Sequence, residues 1–271
     1  MSYIALSPLD LATAALFILL NAAVSLAFRL GLERTLLLVT LRMVAQLALI
    51  GVILRWIFAQ TSPWWTLALA AVMVGAAGYE AVSRQERRFA GWRSYGLGTV
   101  TLLVVSMVAT MFALAGIIAP EPWYAPRYLL PILGMVLGNS LTGIALALDT
   151  LTSNAWRERA AIEGRLALGA TRFEALRETT RQALRTGMTP ILNAMAASGV
   201  VSLPGMMTGQ ILAGVDPIDA TKYQILIMFL LAGATALGVL IASFGGVLLL
   251  TDDRHRLRLD RLWQKSKTPA T

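Results

Sequence analysis

The chain has 271 residues and a net charge of +8, yet 57% of its residues are apolar and only 14% are charged. Soluble domains carry about a quarter charged residues, so this chain lacks the polar side chains to cover a soluble surface, and a membrane protein is expected. Cysteine is absent and there is a single histidine, which excludes disulfide bonds, thiolate metal sites and clusters of histidine ligands.

Long apolar runs divide the chain into candidate transmembrane helices. A spanning helix needs about 20 largely apolar residues. The runs that qualify are 11–28, 35–54, 56–79, 94–120, 128–149, 188–213 and 222–250. They predict an all-α, polytopic membrane bundle of about seven helices, in a single transmembrane domain over residues 1–251.

The basic residues predict how this bundle is oriented. Four segments hold 19 of the 23 lysines and arginines: 29–34, 84–93, 157–185 and the chain after residue 251. Short loops rich in lysine and arginine stay in the cytoplasm. The N-terminus is therefore expected outside, and 252–271 is expected to be a basic cytoplasmic tail. The positive charge is explained by topology, and no nucleic-acid partner is expected.

Several polar residues lie within the apolar runs, where they are costly and commonly face the bundle interior. Arg42 and Gln46 share one face of the second run, and Arg42 either extends to the interface or meets a buried partner. Glu80 closes the third run and either pairs with Arg84 or attracts cations at the inner mouth. Asn139 and Ser140, in the fifth run, either bond across helices or line a polar path.

The longest polar stretch, NAWRERAAIEGRLALGATRFEALRETTRQALRTG, lies between the fifth and sixth runs. Asn154 is predicted to cap a first helix, LGAT to form a turn, and Thr171 to begin a second helix. Phe173 and Leu176 fall on one apolar face of that helix. The stretch is either an amphipathic helix on the inner leaflet or a helical elbow, 154–187, that docks into a soluble partner.

The stretch VSLPGMMTGQILAG interrupts the sixth run with a proline and several glycines. Pro204 removes a helical hydrogen bond, so a kink is expected there. Gly205 and Gly209 form a G-x-x-x-G, which predicts a close approach to another helix. Thr208 is expected to bond to the Pro204 carbonyl, while Gln210 needs a partner in the bundle. The stretch is therefore predicted to be a kinked, hinge-like span.

Methionines in the runs offer soft thioether sulfurs, which suit Cu(I) better than iron or aluminium ions. Flexible methionines in spans are more commonly packing residues, and that role is the one expected here. The sequence therefore identifies no metal-ligand set. The methionines concerned are Met135, Met195, Met206, Met207 and Met228.

The elbow also carries a family resemblance. Glu163, Gly164 and Arg165, followed after three residues by Gly169 and Ala170, resemble the EAA loop of bacterial ABC importer permeases. In that family the loop forms a coupling helix that sits in a cleft of the ATPase subunit.

Longer stretches resemble the FetB-like family of bacterial iron-export ABC permeases, whose plant relatives are aluminium-resistance half-transporters. These stretches are LGNSLTGIALALD, EGRLALGATRFEALR and SLPGMMTGQILAGVDPIDATKYQILIMF. The resemblance implies a permease subunit in the bacterial inner membrane that exports iron or a related metal, with a second copy of itself and a separate ATPase as partners. Coupling to the ATPase would use Glu163, Gly169, Ala170, Phe173 and Leu176.

The absence of G-x-x-x-x-G-K-[ST] agrees with this division of labour, since nothing in the chain cradles ATP phosphates. ATP is expected on the partner chain and no cofactor on this one. No catalytic residues are predicted, because no span holds a histidine or an acidic pair. The alternative function is a secondary transporter or channel that needs no ATPase.

Overall fold

The computed structural model describes residues 7–60 and 62–264, and these residues form two compact units. Both units consist of helices connected by short turns, with a single small sheet in the second. The expected all-α, polytopic architecture is confirmed.

The first unit is a helical hairpin of α1 (Pro8–Ala27) and α2 (Glu33–Phe58). Ser7 caps α1 in a capping box with Asp10. At the turn, the Ser25 hydroxyl donates to the Glu33 carboxylate at 2.8 Å and accepts the Leu32 backbone N–H at 3.0 Å. One buried serine therefore joins the end of α1 to the start of α2.

The second unit contains the remaining helices. Long helices α3 (Pro63–Ser83), α4 (Trp92–Ala113) and α5 (Pro126–Arg157) come first, and α4 continues as a π-helical turn over Leu114–Ile118. Two short helices follow, α6 (Arg159–Ala167) and α7 (Arg172–Ala175). They lead to α8 (Arg177–Ala197), α9 (Gly205–Leu212) and α10 (Pro217–Leu250).

The core of this unit is built on α5 and α10, which pack against each other and against α4 and α8. At about 1.5 Å per residue the two helices are roughly 48 and 51 Å long, against about 30 Å of bilayer hydrocarbon. Both therefore extend well beyond a membrane core. The end of α5 carries the side chains that hold the polar segment described below.

Close helix contact occurs where two glycines face each other. A Cβ built on Gly187 of α8 would lie 2.8 Å from the carbonyl oxygen of Gly143 of α5, and one on Gly143 would lie 2.9 Å from the Gly187 oxygen. Only glycine permits this backbone approach. The G-x-x-x-G of Gly205 and Gly209 differs, because a Cβ on either would meet no atom of the described residues within 4 Å. The predicted close contact is therefore not made within the described residues, and a contact with a second copy of the chain stays a prediction.

Helix boundaries differ from the predicted spans in two places. Within the described residues, six helices are long and apolar enough to cross a membrane: α1, α2, α3, α4 with its π turn, α5 and α10. The run predicted at 56–79 is divided, since Trp56 belongs to α2 and α3 begins at Pro63. The run predicted at 188–213 is divided between α8 and α9 by a non-helical break, 198–204.

Candidate functional site

The elbow predicted at 154–187 consists of α6, a turn, α7 and the start of α8. Gly169 adopts φ +92°, a left-handed conformation that favours glycine. The Thr171 hydroxyl accepts the Glu174 backbone N–H, and the Glu174 carboxylate accepts the Thr171 backbone N–H at 2.8 Å. The carboxylate also accepts a hydrogen bond from the Thr171 hydroxyl, and the bonds from the Thr171 backbone N–H and hydroxyl hold the pKa of Glu174 below its ordinary value. The predicted turn and the second helix start are confirmed.

Asn154 does not begin a helix, which corrects the expected first boundary. It lies within α5, which continues to Arg157, and its amide donates to Gln182 Oε1 at 3.1 Å. The helix continues because Leu151 and Ala155 are both fully buried against neighbouring elements. Burial of these apolar side chains outweighs the preference of asparagine for a helix cap.

The inner face of the elbow is anchored in a buried cluster at the ends of α5 and α10. Ile162, Ala175 and Leu176 are fully buried there, together with Leu151 and Leu250. The Arg165 guanidinium donates to the Ala175 carbonyl at 2.9 Å and ties α6 to α7. Leu176 is therefore a core residue, and its predicted contact with a partner is corrected.

The outer face of the elbow is open and partly apolar. Leu168, at the turn between α6 and α7, is 90% exposed, and Phe173 is 46% exposed. Glu163 and Gly169 are exposed beside them, and Ala170 is half-buried. Most of the predicted coupling residues other than Leu176 are thus exposed, and the ring of Phe173 also lies 6.0 Å from the ring of Phe244 of α10, measured between centroids. Sequence analysis missed Leu168, although a large apolar side chain in a turn was a visible signal.

The C-terminal segment closes over the elbow and does not extend freely as a tail. The Arg172 backbone N–H donates to His255 Nδ1 at 3.2 Å. Strand β2 (Leu262–Gln264) then pairs antiparallel with β1 (Arg87–Phe89), which lies between α3 and α4. Arg88 stacks on the Trp263 ring, 4.6 Å from its centroid. Residues 265–271 of the predicted tail lie outside the described residues.

The predicted intramembrane polar residues occupy separate places. Glu80 pairs with Arg84 at 3.5 Å, which confirms the expected ion pair, and Arg84 also donates to Thr142 at 3.5 Å. Arg42 and Gln46 are exposed on α2 in the first unit.

Two neighbouring residues of α5 also belong to the predicted polar set. Asn139 donates to the Met135 carbonyl at 3.0 Å within its own helix. Ser140 is buried, and its hydroxyl has no hydrogen-bond partner among the described residues. The structure therefore does not bring the predicted path residues into one polar cluster.

The break between α8 and α9 replaces the predicted kink. Gly199 adopts φ +87°, and its backbone N–H donates to the Ser202 carbonyl at 2.9 Å, which turns the chain. Pro204 directly precedes α9, where its missing N–H costs nothing, so it starts a helix and does not bend one. The Thr208 hydroxyl donates to the Pro204 carbonyl at 3.2 Å, as predicted.

A cavity of about 500 Å³ lies beside this break, between the end of α8, the start of α9 and the first turns of α10. Of the residues predicted for a path or hinge, Pro204 lines the cavity, whereas Asn139, Ser140 and Gln210 do not. Gln210 is half-buried, and its Oε1 has no partner within the described part of the chain. Non-helical backbone at membrane depth is tolerated where it lines a cavity or is covered by protein.

Residues 8–248 match the protein family described as Uncharacterised protein family UPF0014. The chain belongs to the UPF0014 family. The UPF0014 membrane protein slr1647 of Synechocystis is 39% identical over 79% of this chain and 82% of the relative. Protein ALUMINUM SENSITIVE 3 of Arabidopsis thaliana is 30% identical, covering 86% and 83%. The Probable iron export permease protein FetB of Escherichia coli is 28% identical, covering 94% and 96%.

The predicted family resemblance is confirmed by these matches, and the chain is an integral membrane protein. No solved structure matches it. The similarity extends along nearly the whole chain, through the hairpin, the elbow and α10. The family match ends at residue 248, before the C-terminal segment that lies over the elbow.

Proposed function

We propose that the chain is the membrane permease subunit of an ATP-driven exporter, and that a separate ATPase subunit docks on the elbow. One observation carries this proposal: the elbow presents Leu168 and Phe173 outward while its inner face is buried against α5 and α10. A surface helix that only faces lipid does not need to be anchored in this way. An element that transmits movement from an ATPase subunit to the transmembrane helices must be packed firmly against those helices.

The path of this coupling is short and made of packed side chains. Leu176 of the elbow belongs to the same buried cluster as Leu151 of α5 and Leu250 of α10. Packed interiors transmit displacement because they have little free volume. Movement of the elbow tip would therefore reach both long helices. The chain has no phosphate-binding G-x-x-x-x-G-K-[ST] motif, so the proposal assigns ATP hydrolysis to the partner.

The proposed assembly contains two copies of this chain and two ATPases in a bacterial inner membrane, with the elbow in the cytoplasm. A motor of two ATPases needs two docking elbows, and each chain supplies one. The proposed cargo is iron or a related metal, which rests on the likeness to the iron export permease of Escherichia coli. The chain would then form one permease domain, with the cytoplasmic elbow and the C-terminal segment built onto it.

The test is to co-express the chain with candidate ATPases, purify the complex, and measure ATP hydrolysis with and without the permease. Leu168→Asp and Phe173→Asp place a charge on the docking surface and should abolish both co-purification and stimulation. Ile218→Asp is the control, because Ile218 is also an exposed apolar residue but lies in the first turn of α10, at the end opposite the elbow, and this variant should behave as the unmodified chain.

Cargo and energy source need a second measurement. Cells that express the chain with its ATPase should accumulate less iron under iron excess than cells without it. An unchanged iron content would contradict the proposal that iron is the cargo. If no ATPase binds and transport survives ATP depletion, the chain is a secondary transporter or channel.

A further inference from the structure

The cavity beside the break collects methionines that the sequence places far apart. Met195 comes from the end of α8, Met207 from α9 and Met228 from α10, and all three line the same space of about 500 Å³. Met206, the sequence neighbour of Met207, does not line it. Three of the five methionines considered as thioether donors are thus brought to one place, which no spacing in the sequence indicates.

A buried amide oxygen completes the donor set. Gln224 of α10 lines the cavity, is only 7% exposed, and its Oε1 has no hydrogen-bond partner among the described residues. Thr221 Oγ1, one turn earlier, lies 4.0 Å from the Met207 sulfur. Buried polar atoms are normally satisfied, so this amide oxygen in the wall of the cavity needs a partner that the described residues do not supply.

The absence of charge among the described lining residues limits the class of ion that the cavity could bind. None of the described residues that line the cavity is charged, and the lining side chains that carry lone pairs are the three methionines, Ser198, Thr221 and Gln224. The cost of desolvating an ion rises with the square of its charge, so a neutral site cannot repay a bare di- or trivalent ion. Thioether sulfur is also a soft ligand that prefers Cu(I) to iron or aluminium.

Two simpler explanations of this cavity account for fewer of its features. Methionines often fill gaps in a core, but these three line a space that is partly open to the surface. A neutral organic ligand would explain the open amide oxygen, but it would not need three thioethers from three helices.

We propose that this cavity is a binding site for a soft, thiophilic monovalent cation of the Cu(I) class, held by the sulfurs of Met195, Met207 and Met228 with Gln224 Oε1. The proposal concerns binding to this chain alone. It does not rest on the ATPase partner or on iron as cargo.

The test uses the full chain purified in detergent, without ATPase, and titrated with Ag(I) as a redox-stable stand-in for Cu(I). The unmodified chain should bind one Ag(I) tightly, and X-ray absorption at the silver edge should show sulfur neighbours. Met207→Leu and Met228→Leu each remove one sulfur at nearly constant volume and should weaken binding about tenfold or more. Gln224→Leu should weaken it less.

Met206→Leu is the matched control, since it changes the adjacent residue by the same chemistry and should leave Ag(I) affinity unchanged. Size-exclusion chromatography and thermal unfolding confirm that each variant is folded. Equal loss in Met206→Leu and Met207→Leu, an absorption spectrum without sulfur neighbours, or no stoichiometric binding by the unmodified chain would each overturn the proposal. Failure of export in cells would leave it unaffected, because binding is measured on the isolated chain.

Discussion

His255 Nδ1 accepts a hydrogen bond from the Arg172 backbone N–H at 3.2 Å. Arg172 is the first residue of α7, where helical backbone donors have no partner within the helix. The single histidine of the chain therefore supplies a cap from more than 80 residues away. It ties the segment after α10 to the first turn of the elbow helix.

Replacing His255 should loosen the elbow. His255→Ala removes the acceptor and should cost about 0.5–1.5 kcal/mol locally, near the lower end because the contact is exposed. Hydrogen exchange of the amides of 171–176 is the measurement, and it should accelerate. His255 adopts φ +56°, so His255→Asn is the matched control, since asparagine tolerates this conformation and keeps a side-chain acceptor. Equal exchange in all three chains would contradict the capping role.

The contact of Gly143 with Gly187 should be intolerant of a single methyl group. Gly187→Ala would place its Cβ 2.8 Å from the Gly143 oxygen and 2.9 Å from Ala147 Cβ, so α5 and α8 must separate. The expected destabilisation is about 1–3 kcal/mol. Thermal unfolding in detergent should show a lower midpoint.

Gly205→Ala is the comparison, because no atom of the described residues lies within 4 Å of its added Cβ. Its unfolding midpoint in detergent should stay close to that of the unmodified chain. A midpoint lowered as much as that of Gly187→Ala would mean that α9 packs tightly after all, against a second copy in the purified protein.

The Asp252 carboxylate should hold the turn after α10 until the pH falls below about 4. Asp252 accepts the Arg256 backbone N–H at 2.9 Å, and this bond is the main reason that its pKa falls from 3.8 to about 2. A lowered pKa stabilises the fold above the ordinary value, and that contribution is lost as pH falls through the folded-state value. Amide protection of 254–258, corrected for intrinsic rates, should therefore show a loss between about pH 4 and 2.

Asp252→Asn tests whether the Asp252 carboxylate causes this acid transition. The amide is a weaker acceptor and carries no charge for the Arg256 guanidinium, which lies 2.8 Å from the carboxylate. Protection of the turn should drop at neutral pH and lose its acid transition. The exposed Asp253, changed to Asn in the same way, should leave both unchanged. A persistent transition in Asp252→Asn would assign it to another group.

The helix start in the elbow could be predicted from sequence because the two residues that form its capping box are close in the chain. Thr171 and Glu174 are three residues apart, and Gly169 marks the turn before them, so their roles follow from helix geometry alone. Asn154 carried an equally good local signal and misled, because Leu151 and Ala155 are buried on either side of it and keep α5 helical. Local preference decides where tertiary burial does not compete with it.

The sequence by itself determined that the chain is a bundle of apolar helices with a patterned polar elbow. Apolar length and helix caps are properties of neighbouring residues, and a backbone in lipid must satisfy its hydrogen bonds locally. The tertiary structure alone decided that Leu168 faces outward while Leu176 is buried, that residues 262–264 pair with 87–89, and that Met195, Met207 and Met228 share a cavity. Each of these depends on which distant element packs against which face. Hydrophobic periodicity shows that a face is apolar, but it does not show which element covers that face.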